Sequence, residues 1–211
     1  MNRPDRLVVV TGTGTEVGKT WVAAATLTQL RARGVSVAAR KPVQSLEPGT
    51  GPSDAAVLAR ATGEEPDDVC PPHRSYGVAL APPMAADALG APPFTIAALV
   101  TEITWPDGVA LGVVEGAGGV RSPLAADGDT LDLVHALAAD RVLLVADAGL
   151  GTINAVRLAA DALAGVRLHV VLNRFDADDD VHRRNLAWLG GVDGLDVVTG
   201  PGALAERLLG A

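Results

Sequence analysis

Short apolar runs alternate with segments of helical spacing along most of the chain. The runs that predict buried strands are Leu7–Thr11, Val35–Lys41, Val109–Glu115, Arg141–Asp147 and Arg167–Asn173, with a weaker one at Leu195–Thr199. The segments that predict helices are Lys19–Arg33, Asp54–Ala61, Thr95–Trp105, Thr130–Ala139, Thr152–Ala164, Asp178–Leu189 and Ala203–Leu209. This alternation predicts an α/β fold with a mainly parallel sheet, helices on both faces and right-handed crossovers.

One segment between the second and third predicted strands is dense in proline. Residues 64–93 contain paired prolines at positions 71–72, 82–83 and 92–93. We interpret this segment as an ordered excursion with a short helix at Met84–Leu89, and not as a linker between domains. Because the sequence shows neither an internal repeat nor a domain boundary, we expect residues 1–211 to form a single domain.

The amino-acid composition excludes several functions for a protein with this fold. Hydrophobic residues make up 48% of the chain and aromatic residues only 3%, so the core is predicted to consist of Val, Leu, Ile and Ala. The net charge of −8 is unfavourable for non-specific nucleic-acid binding, and the single cysteine, Cys70, allows no intramolecular disulfide. We find no signal peptide and no apolar run long enough to span a membrane. We therefore expect a cytoplasmic protein that binds neither nucleic acid nor membrane.

The strongest local motif is a glycine- and threonine-rich loop, Gly12–Thr20 (GTGTEVGKT), between the first predicted strand and the first predicted helix. In this context glycines let backbone N–H groups turn around phosphate oxygens, and the helix N-terminus adds partial positive charge. Lys19 would neutralise the outer phosphates of a nucleotide, and the Thr20 hydroxyl would ligate Mg²⁺. The spacing is a variant of GxxxxGK[ST], because Thr13 stands where that pattern has its first glycine. The fold class is thus predicted to be P-loop NTPase-like.

Residues that end strands are further candidates, because ligands of parallel sheets bind beyond the carboxyl ends of the strands. Glu115 ends an apolar strand, where a carboxylate either reaches a metal or caps backbone amides. Asp54 follows Ser53 at a predicted helix start, a pair that is commonly a helix cap. Asn173 ends another apolar strand, where an asparagine is commonly a turn residue. We assign no chemistry to Asp147.

Four separated segments together resemble the dethiobiotin synthetase family in order and spacing. They are GTGTEVGKT at 12–20, KPVQS at 41–45, VEGAGGV at 114–120 and GLGTIN at 149–154. The resemblance spans about Leu7 to Asn173, and the six-residue separation of Gly12 and Gly18 is also similar to that family. It implies an ATP- and Mg²⁺-dependent ligase that joins 7,8-diaminopelargonate (7,8-diaminononanoate) and CO₂ into dethiobiotin. The implied route passes through a carbamate and a carbamic-phosphoric anhydride, and releases ADP and phosphate.

The resemblance also implies a role for each matching residue. Lys19 and Lys41 are the implied catalytic residues, and Thr20, Asp54 and Glu115 are the implied metal ligands. The implied ATP-binding residues are Gly14, Thr15, Glu16, Val17, Gly18, Lys19, Thr20 and Asn173. The implied substrate-binding residues are Thr15, Lys41, Ser45, Gly118, Gly151, Thr152, Ile153 and Asn154. The last four would come from the neighbouring subunit of a homodimer with shared active sites.

Two positions depart from the family pattern, and two other functions remain open. Ala155 and Pro83 stand where family members often have histidine, and the chain after Asn173 is short and weakly similar. The first alternative is a cobyrinate a,c-diamide synthase-like enzyme, which usually carries a glutaminase domain with a nucleophilic cysteine. The second is a ParA/MinD-like ATPase switch, which needs an early lysine in the phosphate loop, whereas residues 12–17 contain none.

Overall fold

The computed structural model describes residues 3–210 and contains a six-stranded sheet at its centre. The strands are β1 (Arg6–Gly12), β2 (Val37–Arg40), β3 (Gln44–Ser45), β4 (Ser75–Tyr76), β5 (Leu111–Glu115), β6 (Pro123–Ala125), β7 (Gly128–Asp129), β8 (Arg141–Asp147), β9 (Leu168–Asn173) and β10 (Val197–Val198). The central sheet has the order β10-β9-β8-β1-β5-β2, and all its strand pairs are parallel. The predicted α/β class with a mainly parallel sheet is confirmed.

The helices between the strands cover both faces of this sheet. They are α1 (Lys19–Ala32), α2 (Asp54–Thr62), α3 (Pro66–Val69), α4 (Pro82–Ala88), α5 (Ile96–Glu102), α6 (Thr130–Ala136), α7 (Thr152–Ala162), α8 (Asp180–Ala187) and α9 (Pro201–Leu209). The side chains of β1 alternate between the two faces. Val8 and Val10 pack with α1, α2 and α9, whereas Leu7 and Val9 pack with α4 to α7. Burial of both faces explains why the strands are continuous apolar runs.

The parallel arrangement brings the carboxyl ends of the strands to one edge, which we call the carboxyl edge. In the strand register, Glu115 at the end of β5 is paired with Val10, and Asp147 at the end of β8 is paired with Asn173. Helix α1 begins seven residues after β1 ends, and Lys41 follows β2 directly. Candidate residues from distant parts of the sequence therefore meet at this edge.

Several strand and helix boundaries differ from the predicted ones for identifiable reasons. Strand β2 is shorter at both ends, because the N–H of Val35 donates to Leu30 O and the N–H of Lys41 donates to Val69 O. Helix α6 ends at Ala136, and Ala138 then adopts a left-handed backbone with φ 47°. Helix α4 begins earlier than expected because Pro82 suits the first turn of a helix.

Helices α5 and α8 are also shorter than predicted. Thr95 lies outside α5 as its N-cap, accepting from the N–H of Ala98, and Ile103 is already extended. Asp179 likewise caps α8, which continues into a short π-helix at Trp188–Val192. In both cases a capping side chain was interpreted from the sequence as part of the helix.

The proline-rich excursion is ordered, as expected, but it contains structure that the pattern did not predict. Within it, α3 and the short strand β4 were not predicted, and β4 pairs with β3, which lies before the excursion. Strands β6 and β7, which follow β5, form a separate antiparallel pair that was not predicted either. These strands have two or three residues each, too few to show a periodic pattern. Within residues 3–210, no helix is long and apolar enough to cross a membrane.

Candidate active site

The loop between β1 and α1 has at each end a glycine, Gly12 and Gly18, whose position leaves no room for a side chain. Gly18 is the N-cap of α1 with φ 91°, and a Cβ there would lie 2.1 Å from Nδ2 of Asn173. A Cβ on Gly12 would lie 2.7 Å from Cγ2 of Val17. Thr15 and Glu16 are exposed at the outer part of the loop, and Glu16 has φ 60°. The loop is therefore wrapped tightly around the start of α1, whose first N–H groups lack a side-chain cap.

Lys19 is the first residue of α1, and its side chain folds back over the loop. Its Nζ donates to Gly14 O at 2.8 Å, and the residue is buried. Burial, together with the positive charge of Lys41, lowers the pKa of Lys19 from its usual value. A partly desolvated ammonium group beside the backbone of the loop favours the binding of an anion.

Four side chains from separate elements meet beside this loop. Nζ of Lys41 lies 2.7 Å from Oε1 of Glu115 and 2.8 Å from Oδ2 of Asp54, and it also donates to Gly116 O at 2.9 Å. Oγ1 of Thr20 lies 2.9 Å from Oδ1 of Asp54 and 2.8 Å from Oε1 of Glu115. We call Thr20, Lys41, Asp54 and Glu115 the ion cluster.

The cluster is buried on one side and open on the other. Glu115 is fully buried and the Lys41 side chain is 2% exposed, whereas the Asp54 side chain is 42% exposed. Burial by itself favours the neutral amine of Lys41, but the charges of Glu115 and Asp54 outweigh it and raise its pKa. Burial likewise opposes ionisation of Asp54, yet Lys41 outweighs it and lowers the pKa of that carboxyl. The neighbouring charges thus favour the ammonium form of Lys41.

One atom of the cluster lacks a partner. Oε2 of Glu115 is buried and accepts no hydrogen bond from the described residues. An unpaired buried carboxylate oxygen costs free energy, so a cation or a water beside it would stabilise the site. Within residues 3–210, no group of three or more His, Cys, Asp or Glu side chains is arranged to hold a metal. A metal here would depend on two carboxylates and the Thr20 hydroxyl, with other ligands from water or a bound phosphate, as suits Mg²⁺.

Local contacts hold the cluster residues in place. Ser53 caps α2 by accepting from the N–H of Ala56, and the Gln44 side chain accepts from the N–H of Ala55, so the start of α2 is fixed beside Thr20. Ser53 therefore acts as the helix cap, and the carboxylate of Asp54 remains free for the ion cluster. Sequence reasoning had not separated these two possibilities.

The remaining candidate residues on this side of the site have well-defined contacts. Asn173 is buried, and its Nδ2 donates to Val17 O at 2.9 Å. Oγ of Ser45 donates to Leu80 O at 2.6 Å. Gly118 has φ 66°, and a Cβ on its neighbour Gly119 would lie 3.4 Å from Gly12 O, so this glycine loop approaches the phosphate loop closely.

The structure does not bring Gly151, Thr152, Ile153 and Asn154 into the ion cluster. They form the start of α7, with Gly151 as an N-cap at φ 86° and no side-chain cap. In the described part of the chain, no hydrogen bond or ion pair joins them to Lys19, Lys41, Asp54 or Glu115. The adjacent Leu150 is 90% exposed.

Sequence reasoning missed two residues at this edge. Gly116 supplies the carbonyl that Lys41 contacts, and a Cβ at Gly116 would lie 2.7 Å from Oγ1 of Thr130. Its signal was its place as the first glycine directly after Glu115. Arg174 contacts the phosphate loop through Glu16 O at 2.7 Å. Its signal was only adjacency to Asn173, since its backbone conformation cannot be seen in the sequence.

The parallel sheet, the glycine loop after β1 and the lysine that opens α1 define a nucleoside-triphosphate-binding P-loop protein. The family model described as "AAA domain" matches residues 6–199. Chloroplast FtsY from Physcomitrella patens is 16% identical, with a TM-score of 0.54 over 93% of this chain and 58% of that chain, a likeness of fold alone.

Curated relatives define the family more narrowly. The ATP-dependent dethiobiotin synthetase of Rhodococcus jostii is 41% identical over 97% of this chain and 91% of its own length. The proteins of that name from Anaeromyxobacter dehalogenans and Haloferax mediterranei are 40% and 37% identical, over 83% and 91% of this chain and 79% and 82% of their own lengths. The chain belongs to the dethiobiotin synthetase family and is a ligase, as the sequence motifs predicted.

Proposed function

We propose that this chain is an ATP- and Mg²⁺-dependent ligase that converts 7,8-diaminopelargonate and CO₂ into dethiobiotin, with release of ADP and phosphate. The observation that carries the proposal is the contact between Lys41 and the two carboxylates of the ion cluster, beside the phosphate loop with Lys19. The names of its relatives support the same activity. Neither alternative function is favoured by a feature of the site.

The phosphate loop would hold the triphosphate of ATP. Backbone N–H groups of the loop and the uncapped start of α1 suit an anion, and Lys19 adds a full positive charge. In this role Lys19 would exchange its contact with Gly14 O for phosphate oxygens. The gain should be large because burial has already removed water from the ammonium group.

Thr20, Asp54 and Glu115 would hold Mg²⁺. Their hydroxyl and carboxylate oxygens are the ligands that Mg²⁺ prefers, and the unpartnered Oε2 of Glu115 suits a cation. When bound, the ion would neutralise charge on the phosphates. The role of the chain is to present two carboxylates on rigid elements, at the end of β5 and the start of α2.

Lys41 would act where the substrate meets the γ-phosphate. An amine of the substrate combines with CO₂ to form a carbamate and releases a proton. A carbamate oxygen then attacks the γ-phosphorus, and ADP leaves. The second amine attacks the carbonyl carbon of the resulting anhydride, closes the cyclic urea and releases phosphate. The attack joins two anions, so a fixed positive charge between them would stabilise the transition state.

The geometry of Lys41 suits an electrostatic role better than proton transfer. Its raised pKa keeps the ammonium charged, and its three N–H groups are all engaged, by Glu115, Asp54 and Gly116 O. To contact a carbamate, it would give up one of these contacts. The partly exposed Asp54 is the contact that could be released at least cost, because water can replace Lys41 there.

Asn173 would read the edge of the adenine base. One N–H of its amide group already donates to Val17 O, which leaves the second N–H and the carbonyl oxygen for a base. These two groups match the N7 acceptor and the N6 donor of adenine. Thr15, Ser45 and Gly118 would contact the diamine or its carbamate, as the family resemblance implies.

A homodimer would complete the substrate site. The N–H groups at the start of α7, Gly151–Asn154, would bind the substrate carboxylate of the partner subunit, and the N–H of Thr152 would then give up its 3.4 Å hydrogen bond to Gly149 O. Large apolar side chains are exposed in this region. Leu150 lies just before α7, Leu158 lies in α7, and Trp188 and Val192 lie in the short π-helix after α8. An exposed apolar surface of this kind favours contact with a second copy.

The proposal is tested by following ADP release and product formation together. With ATP, Mg²⁺, bicarbonate and 7,8-diaminopelargonate, we expect ADP and the cyclic urea to form in equal amounts. ATP alone should give little ADP. Diamine-independent ATP turnover without cyclic urea would contradict the ligase and favour an ATPase switch.

A further inference from the structure

Two consecutive side chains at the end of β9 contact two consecutive carbonyls of the phosphate loop. Nδ2 of Asn173 donates to Val17 O at 2.9 Å, and Nη2 of Arg174 donates to Glu16 O at 2.7 Å. The two pairs are separated by 156 and 158 positions in the sequence. Asn173 has an implied role at the base, whereas Arg174 has none in the proposed reaction.

These contacts control the direction in which the peptide groups of the loop point. In a trans peptide the C=O of one residue and the N–H of the next point in opposite directions. Holding the carbonyls of Glu16 and Val17 toward β9 therefore turns the N–H groups of Val17 and Gly18 toward the interior of the loop. Inward N–H groups are what a phosphate-binding loop requires.

The Glu16 peptide needs such support more than its neighbours do. Glu16 has φ 60°, a left-handed conformation that is costly for a residue with a side chain. A hydrogen bond from a charged donor offsets part of that cost. Arg174 itself has φ 56°, so the backbone at the end of β9 is also held in a left-handed turn that aims the side chain at the loop.

Asp147 fixes the guanidinium of Arg174 from the other side. Nη1 of Arg174 lies 2.8 Å from Oδ2 of Asp147, and Oδ1 of Asp147 accepts from the N–H of Gly149. The Arg174 and Asp147 side chains are 57% and 47% exposed, so this ion pair contributes little to the stability of the fold. The ion pair instead orients the guanidinium, because Nη1 is held by Asp147 while Nη2 points at Glu16 O.

We propose that Arg174 is a positioning residue that holds the phosphate loop ready for the triphosphate, with Asp147 as its anchor. Arg174 acts on the peptide of Glu16 and does not itself touch the base or the phosphates. This inference rests on the proposed use of ATP by the same site.

The experiment compares nucleotide binding with the binding of inorganic tripolyphosphate, which has no base. Arg174→Asn removes the guanidinium and keeps a residue that tolerates a left-handed backbone. We expect both ATP and tripolyphosphate to bind about 3- to 10-fold more weakly to this variant. Arg174→Lys should recover part of the loss, and Asp147→Asn should cause a smaller one. In kinetics, KM for ATP should rise more than kcat falls.

Arg184→Gln is the matched control, because Arg184 forms a more exposed ion pair with Asp180 on α8 and no hydrogen bond with the described residues of the loop. It should leave both ligands bound as in the parent. A loss for ATP alone would mean that Arg174 contacts the base directly, which would overturn the positioning role. Unchanged binding of both ligands to Arg174→Asn would also overturn it. If the parent bound no ATP at all, the proposed function itself would be wrong.

Discussion

Two helices of this chain, α1 and α7, begin at the same edge of the sheet in nearly the same way, yet of the two it is α1 that begins beside the ion cluster. The N-caps are glycines in left-handed conformations, Gly18 at φ 91° and Gly151 at φ 86°, and neither helix has a side-chain cap. Both therefore present backbone N–H groups without a side-chain cap, which favour an anion.

The surroundings of the two helix starts differ completely. Gly18 is crowded by Asn173, and α1 opens onto Lys19 and the ion cluster. A Cβ on Gly151 would meet nothing within 4 Å, and its neighbour Leu150 is almost fully exposed. In the proposed function, α1 would therefore bind the nucleotide of its own chain, whereas α7 would bind the substrate held by a second copy. The following predictions test that difference.

The largest expected effect is in the ion cluster, beside the start of α1. Lys41→Gln removes the positive charge between the two reacting anions, so we expect kcat to fall about 10²- to 10³-fold while ATP binding is retained. Lys19→Ala, by contrast, should weaken ATP binding as well as turnover, because Lys19 lies over the phosphate loop. Steady-state kinetics and equilibrium ATP binding separate the two outcomes. Full kcat in Lys41→Gln would refute its catalytic role.

The next effect concerns the carboxylates of the ion cluster. Asp54→Asn and Glu115→Gln each remove a negative charge and keep the shape of the side chain, so we expect the Mg²⁺ concentration for half-maximal activity to rise about 10- to 100-fold. Glu206→Gln is the control, since Glu206 is exposed on α9 and forms an ion pair with Arg33, away from the ion cluster. A magnesium titration identical to that of the parent would remove the altered residue from the proposed metal site.

A smaller effect tests whether α7 serves the partner subunit. An inactive Lys19→Ala chain mixed with an inactive Gly151→Phe chain should regain activity, because each mixed dimer contains one site with both parts intact. With random exchange half of the dimers are mixed, so the mixture should reach about a quarter of the parent rate. Mass measurement of the mixed dimer establishes that exchange occurred. Mixed dimers without activity would place the substrate carboxylate elsewhere.

The smallest effect separates the two glycines by stability alone. Gly151→Ala should lower the free energy of unfolding by about 1–2 kcal/mol, from its left-handed backbone only. Gly18→Ala should lower it further, because the new Cβ would also displace the Asn173 side chain. Urea unfolding followed by circular dichroism measures both. Equal losses would show that the crowding at Gly18 is relieved without cost.

The fold was predictable from the sequence where burial alone sets the pattern. The strands β1, β8 and β9 are apolar runs covered on both faces, and their predicted bounds agree with the structure to within one residue. The short strands β3, β4, β6 and β7 were not predictable, and neither were the capping residues Thr95 and Asp179, because they depend on single hydrogen bonds and not on periodicity.

Some residues of the candidate site were likewise predictable from the sequence, and others were not. Lys19, Thr20 and Glu115 could be identified from motif and strand position, whereas Asp54 needed the family resemblance, since Ser53 and Asp54 are equally good helix caps in sequence. Arg174 could not be found, because its contact with Glu16 O depends on two left-handed backbone conformations. The dimer and the assigned roles remain predictions.

The ion cluster also has a consequence for how the chain folds. Its contacts join residues that are 34, 74 and 95 positions apart, and the contact of Asn173 with the phosphate loop spans 156 positions. Each of these closes a long loop whose entropy must be offset before the contact forms. Because Glu115 ends β5 and Lys41 directly follows β2, the cluster should form only once these strands have joined the sheet. ATP binding during refolding would consequently report the completed sheet, and a fragment that ends before β9 should not bind the nucleotide like the full chain.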